Sequence, residues 1–135
     1  MDTPHITPHP DGWIEPVQLK ITTYGTADGA VVVHLAGEIS LDEGPNLQDT
    51  LAQALEPVLR CLIVDMAEVF FCDSAGLNAL LNTRTATTTA GVDLVLTGVG
   101  ERITRLFWAT GTAEVFTVIA TVQEALDRPG DGSTP

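Results

Sequence analysis

The stretch FFCDSAGLNALL, residues Phe70 to Leu81, sets an acid and a hydroxyl side by side between an apolar run and a segment with helical periodicity. Upstream, CLIVDM (Cys61 to Met66) is the short continuous apolar run of a strand buried on both faces, and AEVFF (Ala67 to Phe71) is read as carrying the chain away from its end. Downstream, apolar residues recur at Leu77, Leu80, Leu81, Ala86 and Ala90, one core-facing stripe, and Gly91 suits a helix stop. Asp73 and Ser74 therefore stand where a loop enters a helix. Unpaired backbone N–H groups and the positive end of the dipole favour an acceptor oxygen or a phosphate at such a place. One of the two residues is the cap. Capping leaves Gly76 unexplained, because glycine in a first turn costs about 1 kcal/mol relative to alanine. The missing Cβ implies a close approach, by a partner's backbone or by the neighbouring strand.

Working outward, VQLKITTY (17–24) and AVVVHLAG (30–37) are rich in β-branched residues and are joined by the turn-forming GTADG, which makes them two strands of a hairpin. LDEGPNLQDTLAQAL (41–55) places Leu47, Leu51, Ala54 and Leu55 at helical spacing, with Asp42 and Glu43 near the N-terminal end, Pro45 in the first turn and Pro57 beyond its close. VDLVLTGV (92–99) is a further buried strand. GERITRLFWATG (100–111) puts Ile103, Leu106 and Phe107 on one side, leaves Arg102 and Arg105 to solvent and closes on Gly111. EVFTVIA (114–120) is a last strand and TVQEALD (121–127) a last helical segment opened by a Thr121 cap. Strands alternating with helices mean a layered α/β domain with a mixed central sheet of four to five strands flanked by helices. The first 16 residues, rich in Pro, His and Asp and without period, are read as a flexible arm, residues 17–127 as the single domain, and 128–135 as a flexible tail.

The 135 residues suit one core, and 44% hydrophobic residues argue against wholesale disorder. With 6 Lys and Arg against 18 Asp and Glu, the formal charge is −12, a field that repels phosphate backbones and anionic lipid heads, so neither nucleic acid nor membrane is an expected partner. No run approaches a membrane span, and MDTPHITPHP lacks the basic and apolar regions of a signal peptide, which together point to the cytoplasm. Cys61 and Cys72 lack CxxC spacing and are read as small buried side chains. The G-x-S-x-G elbow of a serine hydrolase is absent, and of His5, His9 and His34 two lie in the arm and one in mid-strand, so enzyme chemistry at Ser74 is not expected. His5 and His9 have metal-like spacing but no scaffold, and GTADG and GVGER read as turns rather than nucleotide loops, so neither metal nor cofactor is expected.

GEIS from Gly37, IVDMAEVFFCDSAGLNALL from Ile63 and RITRLFWATGTAEVF from Arg102 resemble, in order and spacing, the three sequence blocks of STAS domains, most closely the anti-sigma factor antagonists. The resemblance covers roughly residues 17 to 127. It implies a central sheet flanked by helices and a binding protein rather than an enzyme. Proteins of that kind bind an anti-sigma factor that is also a serine kinase, releasing a sigma factor, and a serine phosphatase reverses the phosphorylation that silences them. Carried onto this chain, the resemblance makes Ser74 the phosphoacceptor. The partner face then gathers Gly37, Glu38, Ser40, Asp42, Asp73, Ser74 and Gly76, with the chain a monomer or weak homodimer. The family often has Asp where Ser40 stands, a second hydroxyl where Ala75 stands and Gly where Asn78 stands. The competing expectation is a STAS module that does not switch, a scaffold or ligand sensor in a larger signalling complex.

Overall fold

A computed structural model of the chain describes residues 19–40, 44–55 and 59–128, together with the backbone of Thr7–Pro8 and Ile14–Glu15. Inside the segment read as an arm, β1 (Thr7–Pro8) pairs antiparallel with β2 (Ile14–Glu15) as a separate two-residue ladder. The domain itself is built from β3 (Lys20–Gly25), β4 (Ala30–Ile39), α1 (Gly44–Gln53), β5 (Cys61–Cys72), α2 (Ser74–Ala90), β6 (Asp93–Thr97), α3 (Glu101–Thr110), β7 (Thr117–Ile119) and α4 (Val122–Leu126). Asp42, Glu43 and Pro57, expected around the first helix, lie outside the described residues, as does the tail beyond Arg128.

The five strands form one mixed sheet in the order β3-β4-β5-β6-β7. The hairpin β3/β4 is antiparallel, and every later neighbour is parallel because a helix intervenes to return the chain to the same starting edge. Alternation along the strands divides the apolar side chains between two faces. On one face Val33, Leu35, Ile39, Val64, Met66 and Leu96 meet Leu47 and Leu51 of α1, Leu77 and Leu80 of α2, and Ile103 and Phe107 of α3. On the other, Ala30, Val32, Cys61, Ile63 and Val95 are covered by Ala125 of α4.

Three sequence expectations are corrected by this packing. AEVFF does not leave the sheet: β5 runs on to Cys72 because β4 continues alongside it and offers Ala36 to Ile39 as partners. The longer path along β5 is taken up at two register shifts, one between His34 and Ala36 and one between Gly37 and Glu38, where Phe70 is the unpaired extra residue. On α2 the buried stripe after Leu80 continues through Thr83 and Thr87, while Ala86 is half-buried and Ala90 exposed. The Thr83 hydroxyl donates to the Ala79 carbonyl at 2.8 Å and that of Thr87 to the Arg84 carbonyl at 2.9 Å, so each threonine buries a methyl group with its polar atom already satisfied. The last strand is only Thr117–Ile119, because residues 113–115 turn to drive Phe116 into the core against Phe107, ring centroids 5.1 Å apart.

Candidate functional site at the start of the second helix

Strands β4 and β5 run parallel and end together, with Ile39 paired to Cys72 and the Asp73 N–H donating to the Ile39 carbonyl at 3.1 Å. Asp73 has extended backbone (φ −100°, ψ −170°), which aims its carboxylate back over the first turn of α2. Oδ1 accepts from the Ala75 N–H at 2.9 Å and from the Gly76 N–H at 3.1 Å. The aspartate is therefore the cap, and one oxygen answers two of the helix's orphan donors. Ser74, the first helical residue, is exposed, and its hydroxyl takes part in no hydrogen bond among the described residues. The pair divides its labour: the acid holds the helix end, and the hydroxyl has no such role among the described residues.

Gly76 is buried, and a Cβ built on it would lie 2.6 Å from Ile39 Cγ2 and 2.7 Å from Cys72 Sγ. The close approach inferred from its sequence position is thus made by the chain's own strand ends, and Gly76 seats the helix instead of facing a partner. Gly37 is likewise buried, at a positive φ of 118° beside the second register shift, and belongs to the sheet rather than to its surface. Glu38 is half-buried and registers with Phe71, and Ser40 is half-buried with its carbonyl accepting from the Gly44 N–H at 3.0 Å, which ties the end of β4 to the start of α1. Of the predicted face, Glu38, Ser40, Asp73 and Ser74 come to one edge at the strand ends. Asp42 lies outside the described residues.

Two features of this edge escaped sequence reasoning. Phe70, displaced from pairing by the bulge, is 40% exposed three residues before the cap. A shallow groove of about 280 Å³ runs between Pro45 and Gln48 of α1 and Ala75 and Asn78 of α2. The helices nearly touch there, since a Cβ on Gly44 would lie 3.1 Å from the Ala75 carbonyl oxygen, and Asn82 donates to Gln48 at 2.9 Å. Neither could be read without knowing which strand bulges and which helices are neighbours.

The electrostatics are local. Burial, reinforced by the Asp73 charge, pushes the Cys72 thiol up to about 12, so the sulfur beside the site stays protonated and unreactive near neutral pH. His34 sits on the sheet with Nδ1 2.9 Å from Asp65 Oδ2 and Nε2 3.4 Å from Glu68 Oε1, and Asp65 Oδ1 accepts from the Thr97 hydroxyl at 3.2 Å. Burial pulls the imidazole pKa down most strongly of any single influence, but the hydrogen bonds and charges of the two carboxylates together outweigh it and raise it. The imidazole is thus held on the sheet by the two carboxylates of β5. No helix among the described residues is long and apolar enough to cross a membrane.

A five-stranded mixed sheet with an exposed serine behind an aspartate cap, at the edge where parallel strands end, defines a small layered α/β domain. The family model of the STAS domain matches residues 22–125, and the chain belongs to that family. The anti-sigma-B factor antagonist of Staphylococcus epidermidis is 31% identical over 102 residues, which span 76% of this chain and 94% of its own. An anti-sigma factor antagonist from Mycobacterium paratuberculosis has a similar structure, with a TM-score of 0.65 at 26% identity over 89% of this chain and 96% of its own. The Bacillus cell fate determinant SpoIIAA in its phosphorylated form shares the fold, with a TM-score of 0.64 at 19% identity over 81% of this chain and 98% of its own.

Proposed function

We propose that this chain is an anti-sigma factor antagonist: its edge at Ser74 docks on an anti-sigma factor with serine kinase activity, which releases a sigma factor, and phosphorylation of Ser74 by that kinase ends the association. The observation that carries the reading is the separation of cap from hydroxyl. Because Asp73 already holds the helix end, Ser74 can be modified without unfolding α2. The similarity to anti-sigma factor antagonists supports the partner class, and a protein of this fold in a phosphorylated form supports the modification.

A phosphate on Ser74 adds about −1.5 to −2 charge at a helix start that favours anions, so the domain tolerates it. A partner packed on the same spot would meet a dianion beside the Asp73 carboxylate, and repulsion with lost fit removes several kcal/mol of binding. The contact face gathers Glu38, Ser40, Asp73 and Ser74, with Asp42 beyond the strand end and exposed Phe70 as an aromatic anchor. Arg102 and Arg105, exposed on α3, supply the positive rim on an acidic surface, Arg105 sharing its charge with Glu101 at 3.1 Å. The chain binds rather than catalyses, works in the cytoplasm as a monomer or weak homodimer without a cofactor, and is reset by a serine phosphatase.

The test is to incubate the purified protein with the anti-sigma factor kinases of its own cell and ATP, locate phosphate by mass spectrometry, and measure binding of each partner. One phosphate on Ser74 is expected. Ser74→Glu should weaken binding by about tenfold or more, equivalent to about 1.4 kcal/mol, while Ser74→Ala keeps most of the affinity and both keep the circular dichroism of the parent. A Ser74→Glu protein that binds as tightly as the parent would replace the charge switch by the static scaffold.

A further inference from the structure

The edge of the sheet opposite Ser74, where β6 and β7 begin and α2 ends, holds a cavity of about 180 Å³ lined by Arg84, Thr88, Asp93, Thr117 and Arg128 among others. The chain has only 6 Lys and Arg against 18 Asp and Glu, yet at this cavity two arginines outnumber the one acid of its lining, Asp93. Arg84 is held in place, with Nε donating to the Val115 carbonyl at 2.8 Å, and that anchor leaves its terminal N–H groups available. Among the described residues, no carboxylate forms an ion pair with Arg84 or Arg128. At the end of α2 the Gly91 N–H takes the carbonyls of Thr87 and Thr88, and the Val92 N–H takes that of Thr87 as well. The hydroxyls of Thr88 and Thr117 also make no hydrogen bond among the described residues, which adds two donors.

This donor-rich lining, with Arg84, Thr88 and Thr117 still open to water, suits a hydrated anion better than an apolar occupant. The single acid, Asp93, makes the choice of anion sharper. A fully deprotonated oxyanion such as sulfate can only be repelled by it. Inorganic phosphate keeps a proton at neutral pH, and its P–OH can donate to the Asp93 carboxylate while its other oxygens accept from the arginines. We propose that this cavity is a binding site for inorganic phosphate, held by Arg84 and Arg128 and selected over sulfate by Asp93. It lies at the other end of the sheet from Ser74 and is independent of the switch proposed there.

The test is a titration of the isotope-labelled full chain with inorganic phosphate at neutral pH, followed by amide and arginine side-chain NMR shifts at ionic strength held constant with chloride. Saturable shifts are expected at Thr88, Thr117 and the Arg84 side chain, with Arg128→Gln weakening them by about tenfold. Arg84→Gln should act alike, but it also loses the Val115 anchor, so Arg128→Gln carries the result if that variant fails to fold. Sulfate, which carries no proton at this pH, and glycerol phosphate, which is mostly the dianion without one, should bind the parent more weakly than phosphate. Asp93→Asn should bring sulfate within about twofold of phosphate, since the amide no longer repels it. Shifts reproduced by chloride, saturable shifts centred on Asp73 to Gly76, or sulfate binding the parent as well as phosphate would each overturn the assignment.

Discussion

Replacing Asp73 by Ala should unfold the domain far more readily than replacing its neighbour Ser74 by Ala, although both residues sit at the start of the same helix. Asp73 Oδ1 satisfies two backbone N–H groups, at 2.9 and 3.1 Å, and loss of an N-cap of this type costs about 1 to 2 kcal/mol. Its charge at the positive end of a 17-residue helix contributes a further few tenths to 1 kcal/mol. Because the side chain is half-buried, water replaces it poorly, and a total of about 2 kcal/mol is expected. Ser74 is exposed and its hydroxyl bonds nothing among the described residues, so Ser74→Ala should fall within about 0.5 kcal/mol of the parent. Asp73→Asn divides the two contributions, since the amide oxygen can still accept but the charge is gone. Urea unfolding followed by circular dichroism, with unchanged slope, gives the three values. If Ser74→Ala costs as much as Asp73→Ala, the serine shares the cap, and the case for a hydroxyl free to be phosphorylated fails.

Gly76→Ala should cost about 1 to 2 kcal/mol, because a methyl 2.6 Å from Ile39 Cγ2 and 2.7 Å from Cys72 Sγ overpacks the core by more than the helix gains from alanine. Adding Cys72→Ala should return part of that loss, and a Gly76→Ala protein as stable as the parent would show that the strand ends are not where they are described. The raised His34 pKa makes a stabilising contribution that is complete below the ordinary value of 6.5 and is lost as pH rises through the higher folded value. Urea midpoints measured from mildly acidic to alkaline pH should therefore fall over that window in the parent and not in His34→Gln, and parallel profiles would remove the Asp65 and Glu68 contacts from consideration. Burial raises both thiols, Cys72 to about 12, so iodoacetamide at about pH 8 should label neither cysteine in the native protein and both in urea. Rapid native labelling of Cys72 would mean that the start of α2 opens.

Local chemistry made most of the elements legible. The hairpin β3/β4 follows from β-branched runs around a glycine-rich turn, and the ends of α2 and α3 follow from Gly91 and Gly111, which both adopt the left-handed conformation that L side chains resist, φ 76° and 77°. Thr121 reads as a cap from its position alone, and its hydroxyl does accept from the Glu124 N–H at 3.1 Å. These signals are carried by single residues acting on their own backbone, which is why a one-dimensional reading reaches them.

The site needed three dimensions. Either member of the Asp73-Ser74 pair has the chemistry of a cap, and what selected Asp73 was the extended backbone imposed where β5 ends beside Ile39. The reach of β5 to Cys72 depended on a partner strand that continues alongside it to Ile39, and the exposure of Phe70 on the bulge that reconciles their unequal lengths. Thr83 and Thr87 are polar by composition but buried in place, because each hydroxyl finds a carbonyl of its own helix and leaves a methyl group to pack. The sequence alone determined that an acid, a hydroxyl and a glycine would meet at a helix start. Only the tertiary structure assigned the acid to the helix, the glycine to the core and the hydroxyl to the surface, since caps, bulges and burial are set by what the neighbouring strand presents.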